Sequence, residues 1–128
     1  MKTQQDPRHQ RRIAIMQALY SIMYQPTLPP ELEQDVLTEV EEIVRRKTEI
    51  NAAIDSYATS FTTEKMSRID LAILQLGVYE LLFDKKEPFR VVIDEAIELA
   101  KEFGSSNSQK FVNGILGHLI VKDPINHD

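Results

Sequence analysis

The chain contains no cysteine. That absence removes disulfides, zinc–thiolate centres and thiol nucleophiles together, and it fits a reducing cytosol. Glycine is scarce: Gly77, Gly104, Gly114 and Gly117 are the whole supply. Their spacing makes neither a dinucleotide-binding fingerprint nor a P-loop. The three histidines, His9, His118 and His127, show no metal-ligand spacing. No apolar run approaches the roughly 20 residues that a membrane span requires. The first twelve residues are polar and lack the apolar core of a secretory signal. These absences predict a cytoplasmic chain with no membrane partner, no metal, no cofactor and no catalytic residue.

What is present suits a soluble helical globule. The 128 residues fit one domain, 1–128, with 42% hydrophobic and 27% charged side chains. The net charge of −5 conceals an asymmetry. Residues 1–30 carry four basic side chains against one acidic, a balance of +3. Residues 31–128 carry 11 basic and 19 acidic, a balance of −8. A positive end on a negative body can hold one polyanion in a defined place and repel it elsewhere. Charge alone leaves open a basic tail with no partner.

Periodicity near 3.6 runs through the chain, and no stretch of period 2 stands out. A first helix is predicted over residues 8–24, with Ile15, Leu19 and Ile22 on one stripe and Met16, Tyr20 and Met23 beside it. Pro26, Pro29 and Pro30 end it, and Pro30 sits well just before the next helix. A second amphipathic segment is predicted over 31–57, its stripe running on to Phe61, with Lys47 as the one polar gap and a candidate kink. Ser67 is a candidate N-cap for a helix reaching Phe83. That helix is apolar on nearly every side, which predicts a buried central helix. A fourth helix over 89–103 is expected to stop at Gly104 in a left-handed cap. A last helix over 109–121 ends before Pro124, and residues 1–7 and 122–128 read as tails. The sum is an all-α bundle.

Two groups of side chains invite a chemical reading. Glu95, Glu98 and Glu102 share a helix face, but with no apolar pocket or histidine partner in view they read as a solvated face tempered by Lys101. Arg8, Arg11 and Arg12 are spaced i, i+3 and i+4, so their side chains converge. No acidic partner lies between residues 7 and 30, which predicts three guanidiniums projecting beyond the core. Tyr20 lies about 12 Å further along the same side. Arginine forks suit phosphate and an aromatic ring can stack an unpaired base, so the pattern suits single-stranded RNA better than duplex DNA. Tyr20 as a core residue remains an open alternative.

The second half carries a family resemblance. The runs at 68–81 (RIDLAILQLGVYEL), 88–104 (PFRVVIDEAIELAKEFG) and 108–116 (SQKFVNGIL) resemble the NusB family of transcription antitermination factors. Arg11 and Arg12, with Met16 to Tyr20 (MQALY), are similar to that family's first helix. The likeness covers residues 8–24 and about 60–121, whereas 25–59 matches only in pattern and is short for the family.

The resemblance implies a compact bundle of about five to seven helices around a buried central one. It also implies binding of boxA RNA together with NusE, in an RNA polymerase complex with other Nus factors that reads through ribosomal RNA operons. No enzyme activity and no cofactor follow from it. By resemblance, Arg8, Arg11 and Arg12 hold phosphates, Tyr20 and Phe111 stack bases, and Lys110 neutralises charge. Asn107 and Ser108 cap the helix carrying Lys110 and Phe111, and either shape that surface or touch RNA. Asp70, Tyr79 and Glu80 are expected to face NusE, with core packing the alternative for Tyr79. Gln75 stands where the family usually has arginine, and His9 and Gln10 interrupt a sparse basic cluster. Two other readings stay in view: the RNA-guiding domain of a ribosomal RNA cytosine methyltransferase, and a protein-only helical adaptor. A chain ending at Asp128 sets the expectation of a stand-alone factor.

Overall fold

The computed structural model describes residues 6–28, 31–57 and 61–122. Helix α1 (Pro7–Ile22) opens where Asp6 Oδ1 accepts the Arg8 amide at 3.0 Å. Pro7 takes the first helical position, where its missing donor costs nothing. Ile15, Met16, Ala18 and Leu19 form its buried stripe. After Ile22 the chain tightens, and the Met23 and Tyr24 amides reach back three residues to the Tyr20 and Ser21 carbonyls.

The single amphipathic segment expected over 31–57 is two helices, α2 (Gln34–Arg45) and α3 (Lys47–Asp55). The break falls at Arg46, where φ is −100° and ψ is 15°, next to the polar gap at Lys47. It lets α3 re-aim Ile50 and Ile54 into the same core that Val36, Val40 and Ile43 enter from α2. Pro29, Pro30, Pro124 and His127 lie outside the described residues, as do the tails at 1–5 and 123–128.

Helix α4 (Arg68–Tyr79) is the axis of the bundle. Ser67 Oγ accepts the Asp70 amide at 3.1 Å, as a capping serine should. Every residue from Asp70 to Tyr79 is buried. Helices α1, α2, α3, α5 and α6 all pack on it. Gly77 gives α6 its close approach: a Cβ there would stand 3.0 Å from Leu116 Cδ1. The expected continuation to Phe83 is instead a wide π-helical turn, Glu80–Asp84, closed by the Lys85 amide on the Glu80 carbonyl at 3.0 Å. Lys85 leaves it with φ 57°, the one non-glycine residue with positive φ among those described.

Helices α5 (Phe89–Phe103) and α6 (Ser108–Lys122) complete the bundle and pack against each other. Gly104 is not a left-handed cap: its φ and ψ of −91° and −170° are extended. Glycine is required there for room, because a Cβ would fall 2.4 Å from Ser108 Oγ and 2.8 Å from the Ala100 carbonyl. Ile15, Met16, Leu19, Ile43, Ile50, Ile54, Ile73, Leu74, Leu76, Leu99, Ile115 and Leu116 are all under 2% exposed. Burial of each such side chain stabilises the fold by about 1.5–3 kcal/mol before the entropy of ordering is counted. No strand occurs among the described residues, and no helix is long and apolar enough to cross a membrane.

Candidate nucleic-acid interface

The three arginines of α1 have three different surroundings. Arg8 is in water, its side chain 72% exposed, with Asp6 and Glu87 only at 4.0 Å. Arg11 lies over the gap between α1 and α2, where it pairs with Glu39 and, at 3.3 Å, with Asp35. Arg12 is interior, and this corrects the expectation of three projecting guanidiniums. Its side chain is 8% exposed and forks onto Glu80, with Nε and Nη2 donating at 2.9 and 2.8 Å. Its Nη1 also lies 3.7 Å from Glu95. The acids missing near Arg12 in sequence arrive in space from the π-helical turn after α4 and from α5.

His9, one turn before Arg12, enters the same network. Its Nδ1 lies 2.9 Å from Glu95 Oε1 and its Nε2 lies 2.7 Å from Glu102 Oε1. Glu95 and Glu102 therefore do have a histidine partner, contrary to their reading as a solvated face. Burial works to lower the His9 pKa, but the hydrogen bonds and charges of Glu95 and Glu102 outweigh it and hold the pKa above the usual imidazole range. With both ring nitrogens facing carboxylates, the imidazolium is the form that satisfies all partners. The Glu39 carboxyl is pushed up by burial, with Asp84 and Glu80 adding to the effect and Arg11 opposing it.

The His9–Glu102 bond pins the start of α1 to the last turn of α5, and α6 departs from that same end. Ser108 is 1% exposed, and its Oγ accepts the Ser105 amide at 2.9 Å. It shapes the turn from within and is not a surface contact. Asn107 precedes α6 and is exposed, its carbonyl accepting the Phe111 amide at 3.1 Å. Lys110 is exposed beside Phe111, which packs partly into the core. Phe111 meets Phe61 edge to face, with centroids 6.1 Å apart and planes at 88°. Phe61 is itself 57% exposed. One turn along the same face of α6, Tyr57 tilts against His118 at 4.6 Å and lies over Gly114. Tyr20 is half-buried against the core and meets the exposed Tyr24 edge-on at 5.2 Å.

Sequence reasoning missed Phe61 and Tyr57 as surface aromatics because both continue the stripe of the preceding amphipathic segment, and helix α3 stops at Asp55 before reaching them. The residues expected to face a protein partner are interior too. Asp70, Tyr79 and Glu80 are 8%, 8% and 6% exposed, and Glu80 is committed to Arg12. They lie on or next to the central helix, whose whole circumference is covered. Gln75, in the same helix, is buried and donates to Asn51 Oδ1 at 3.1 Å.

Known proteins share this architecture. The transcription antitermination protein NusB of Shewanella amazonensis is 38% identical over 129 residues, covering 91% of this chain and 96% of that protein. T. maritima NusB superposes with a TM-score of 0.78 at 32% identity, over 95% of this chain and 94% of that one. A chain from a structure of antitermination factors NusB and NusE in complex with dsRNA shares the fold at 24% identity, with a TM-score of 0.75 over 92% of this chain and 100% of its own. Residues 9–120 match the NusB family, and the chain belongs to it.

Proposed function

We propose that this chain is a non-enzymatic transcription antitermination factor of the bacterial cytoplasm. It binds boxA RNA together with NusE and, in an RNA polymerase complex with other Nus factors, aids reading through ribosomal RNA operons. The observation that carries the RNA reading is the exposed Lys110 beside the Phe61–Phe111 pair. A mobile ammonium next to a wet aromatic edge neutralises phosphate and stacks unpaired bases at once. Exposed Arg8 and half-exposed Arg11 supply further phosphate contacts, and Asn107 supplies polar groups at the start of α6. Tyr20 contributes an edge beside Tyr24. Arg12 and Ser108 act as positioning residues, the first fixing α1 and the second the turn before α6.

The partners follow from family membership and from the NusB–NusE–dsRNA complex formed by a protein of the same fold. Labelled boxA RNA titrated with this chain, with and without NusE, tests the assignment. Tighter binding with NusE, in a complex containing all three components, is expected. A protein–protein complex indifferent to RNA would overturn it in favour of a protein-only adaptor.

A further inference from the structure

Arg11 is the cation of α1 whose access to solvent is contested by the protein itself. Glu39 pairs with its Nη2, and Asp35 lies 3.3 Å from its Nε. The two acids differ in kind. Asp35 is 63% exposed, whereas the Glu39 side chain is 11% exposed. Glu39 faces a small cleft of about 70 Å³ shared with Arg8, Arg12, Lys86, Glu80, Asp84 and Glu87. Arg12 is committed to Glu80, so Arg11 is the cation that answers Glu39.

We propose that Glu39 is an internal competitor for RNA at Arg11: its carboxylate takes the Nη2 prong of the guanidinium fork that an RNA phosphate would take, and so sets RNA affinity. The proposal rests on the reading of α1 as part of the RNA face. Both ligands are oxyanions seeking the same planar donors, so a phosphate must displace the carboxylate or share the fork with it. Displacement strands Glu39 next to Glu80 and Asp84. That is unfavourable for the ionised acid, whose charge Arg11 already sustains against burial. Weak or nonspecific RNA leaves the pair closed, and a ligand held elsewhere on the face at Lys110 and Phe111 opens it. Glu39 thereby filters RNA that engages only the cationic end.

The test is a mutant cycle read by boxA RNA titration over a range of salt, with thermal melts as a check on folding. Glu39→Gln keeps size and removes charge. It should tighten RNA binding roughly twofold to fivefold, the range expected for one partly exposed ion pair. The log–log salt slope should change little, because the same phosphate is held at Arg11 in both proteins, whereas Arg11→Ala should flatten it by about 0.7. The gain should vanish in Arg11→Ala/Glu39→Gln, because competition requires the arginine. Asp35→Asn, at an exposed acid whose loss cannot unfold the domain, should give a smaller gain with the same dependence on Arg11. A gain that persists in the Arg11→Ala background would overturn the competition and mark a general field effect. So would Glu39→Gln that binds RNA no better than wild type while Arg11→Ala binds worse, which would make Glu39 a positioning residue. If Arg11→Ala leaves RNA binding untouched while Lys110→Ala weakens it, the competition falls and the RNA face at α6 stands.

Discussion

Arg12 and Glu80 meet through two parallel hydrogen bonds of 2.9 and 2.8 Å, with both side chains under 9% exposed. The pair ties α1 to the end of α4 at the point where the chain widens into its π-helical turn. Removing the guanidinium would leave Glu80 unanswered and take a cation from beside Glu95. Arg12→Ala is therefore expected to lower the unfolding free energy by about 3–5 kcal/mol, read by urea denaturation. Arg12→Lys should recover only part of this, because an ammonium cannot make the two-pronged contact. A stability near wild type for Arg12→Ala would mean that the fork does not hold α1.

His9 makes stability depend on pH with a definite sign. Its folded pKa is raised against an unfolded value near 6.5, so folding favours the protonated ring. The contribution is fully present below about pH 6.5 and is lost as pH rises through the folded pKa. Urea midpoints of wild type should fall across that window relative to His9→Gln. Parallel profiles for the two proteins would rule out the bridging imidazolium.

The Phe61–Phe111 pair, one ring from the segment before α4 and one from α6, separates binding from folding. Phe61 is largely exposed, so Phe61→Ala should leave the melting temperature nearly unchanged. If Phe61 stacks a base, the substitution should cost about 1–3 kcal/mol in RNA binding. Phe111 is rooted in the core, so Phe111→Ala should lower both RNA affinity and stability. Equal RNA affinity for wild type and both variants would remove the aromatic platform from the interface.

Gly77 reports on the packing of α4 against α6. A methyl group there would meet Leu116 Cδ1 at 3.0 Å and Cδ2 at 3.3 Å, and Leu116 is wholly buried. Overpacking costs about 1–3 kcal/mol, offset by about 1 kcal/mol of better helix propensity. Gly77→Ala is expected to be net destabilising by about 1 kcal/mol in thermal or chemical unfolding. A stabilised variant would show that Leu116 can repack freely.

The helices were legible from periodicity, the Ser67 cap from its residue type, and the burial of α4 from apolar residues on every side. The charged interior was legible too, by a route the local view of charge does not take. Continuing the stripe of Leu19 and Met16 backwards by four and then three residues reaches Arg12 and His9. On α5, the stripe of Val92, Ala96 and Leu99 includes Glu95. Charges on two core-facing stripes must find each other or remain unpaired, and here they pair. What sequence could not supply was the partner of each charge. Glu80 and Glu39 lie 68 and 28 residues from the arginines they hold. The break at Arg46 was signalled by the polar gap at Lys47, whereas the π-helical turn was hidden, since it resolves competing demands of packing along one continuous apolar pattern.

The most direct test of an RNA face at the start of α6 is the salt dependence of boxA RNA binding by Lys110→Ala. Lys110 is exposed and holds no part of the core, so the variant should melt like wild type. Its affinity should fall, and its log–log salt slope should flatten by about 0.7, the signature of one lost phosphate contact on a single strand. An affinity and slope identical to wild type would contradict an RNA-binding surface at this end of the bundle.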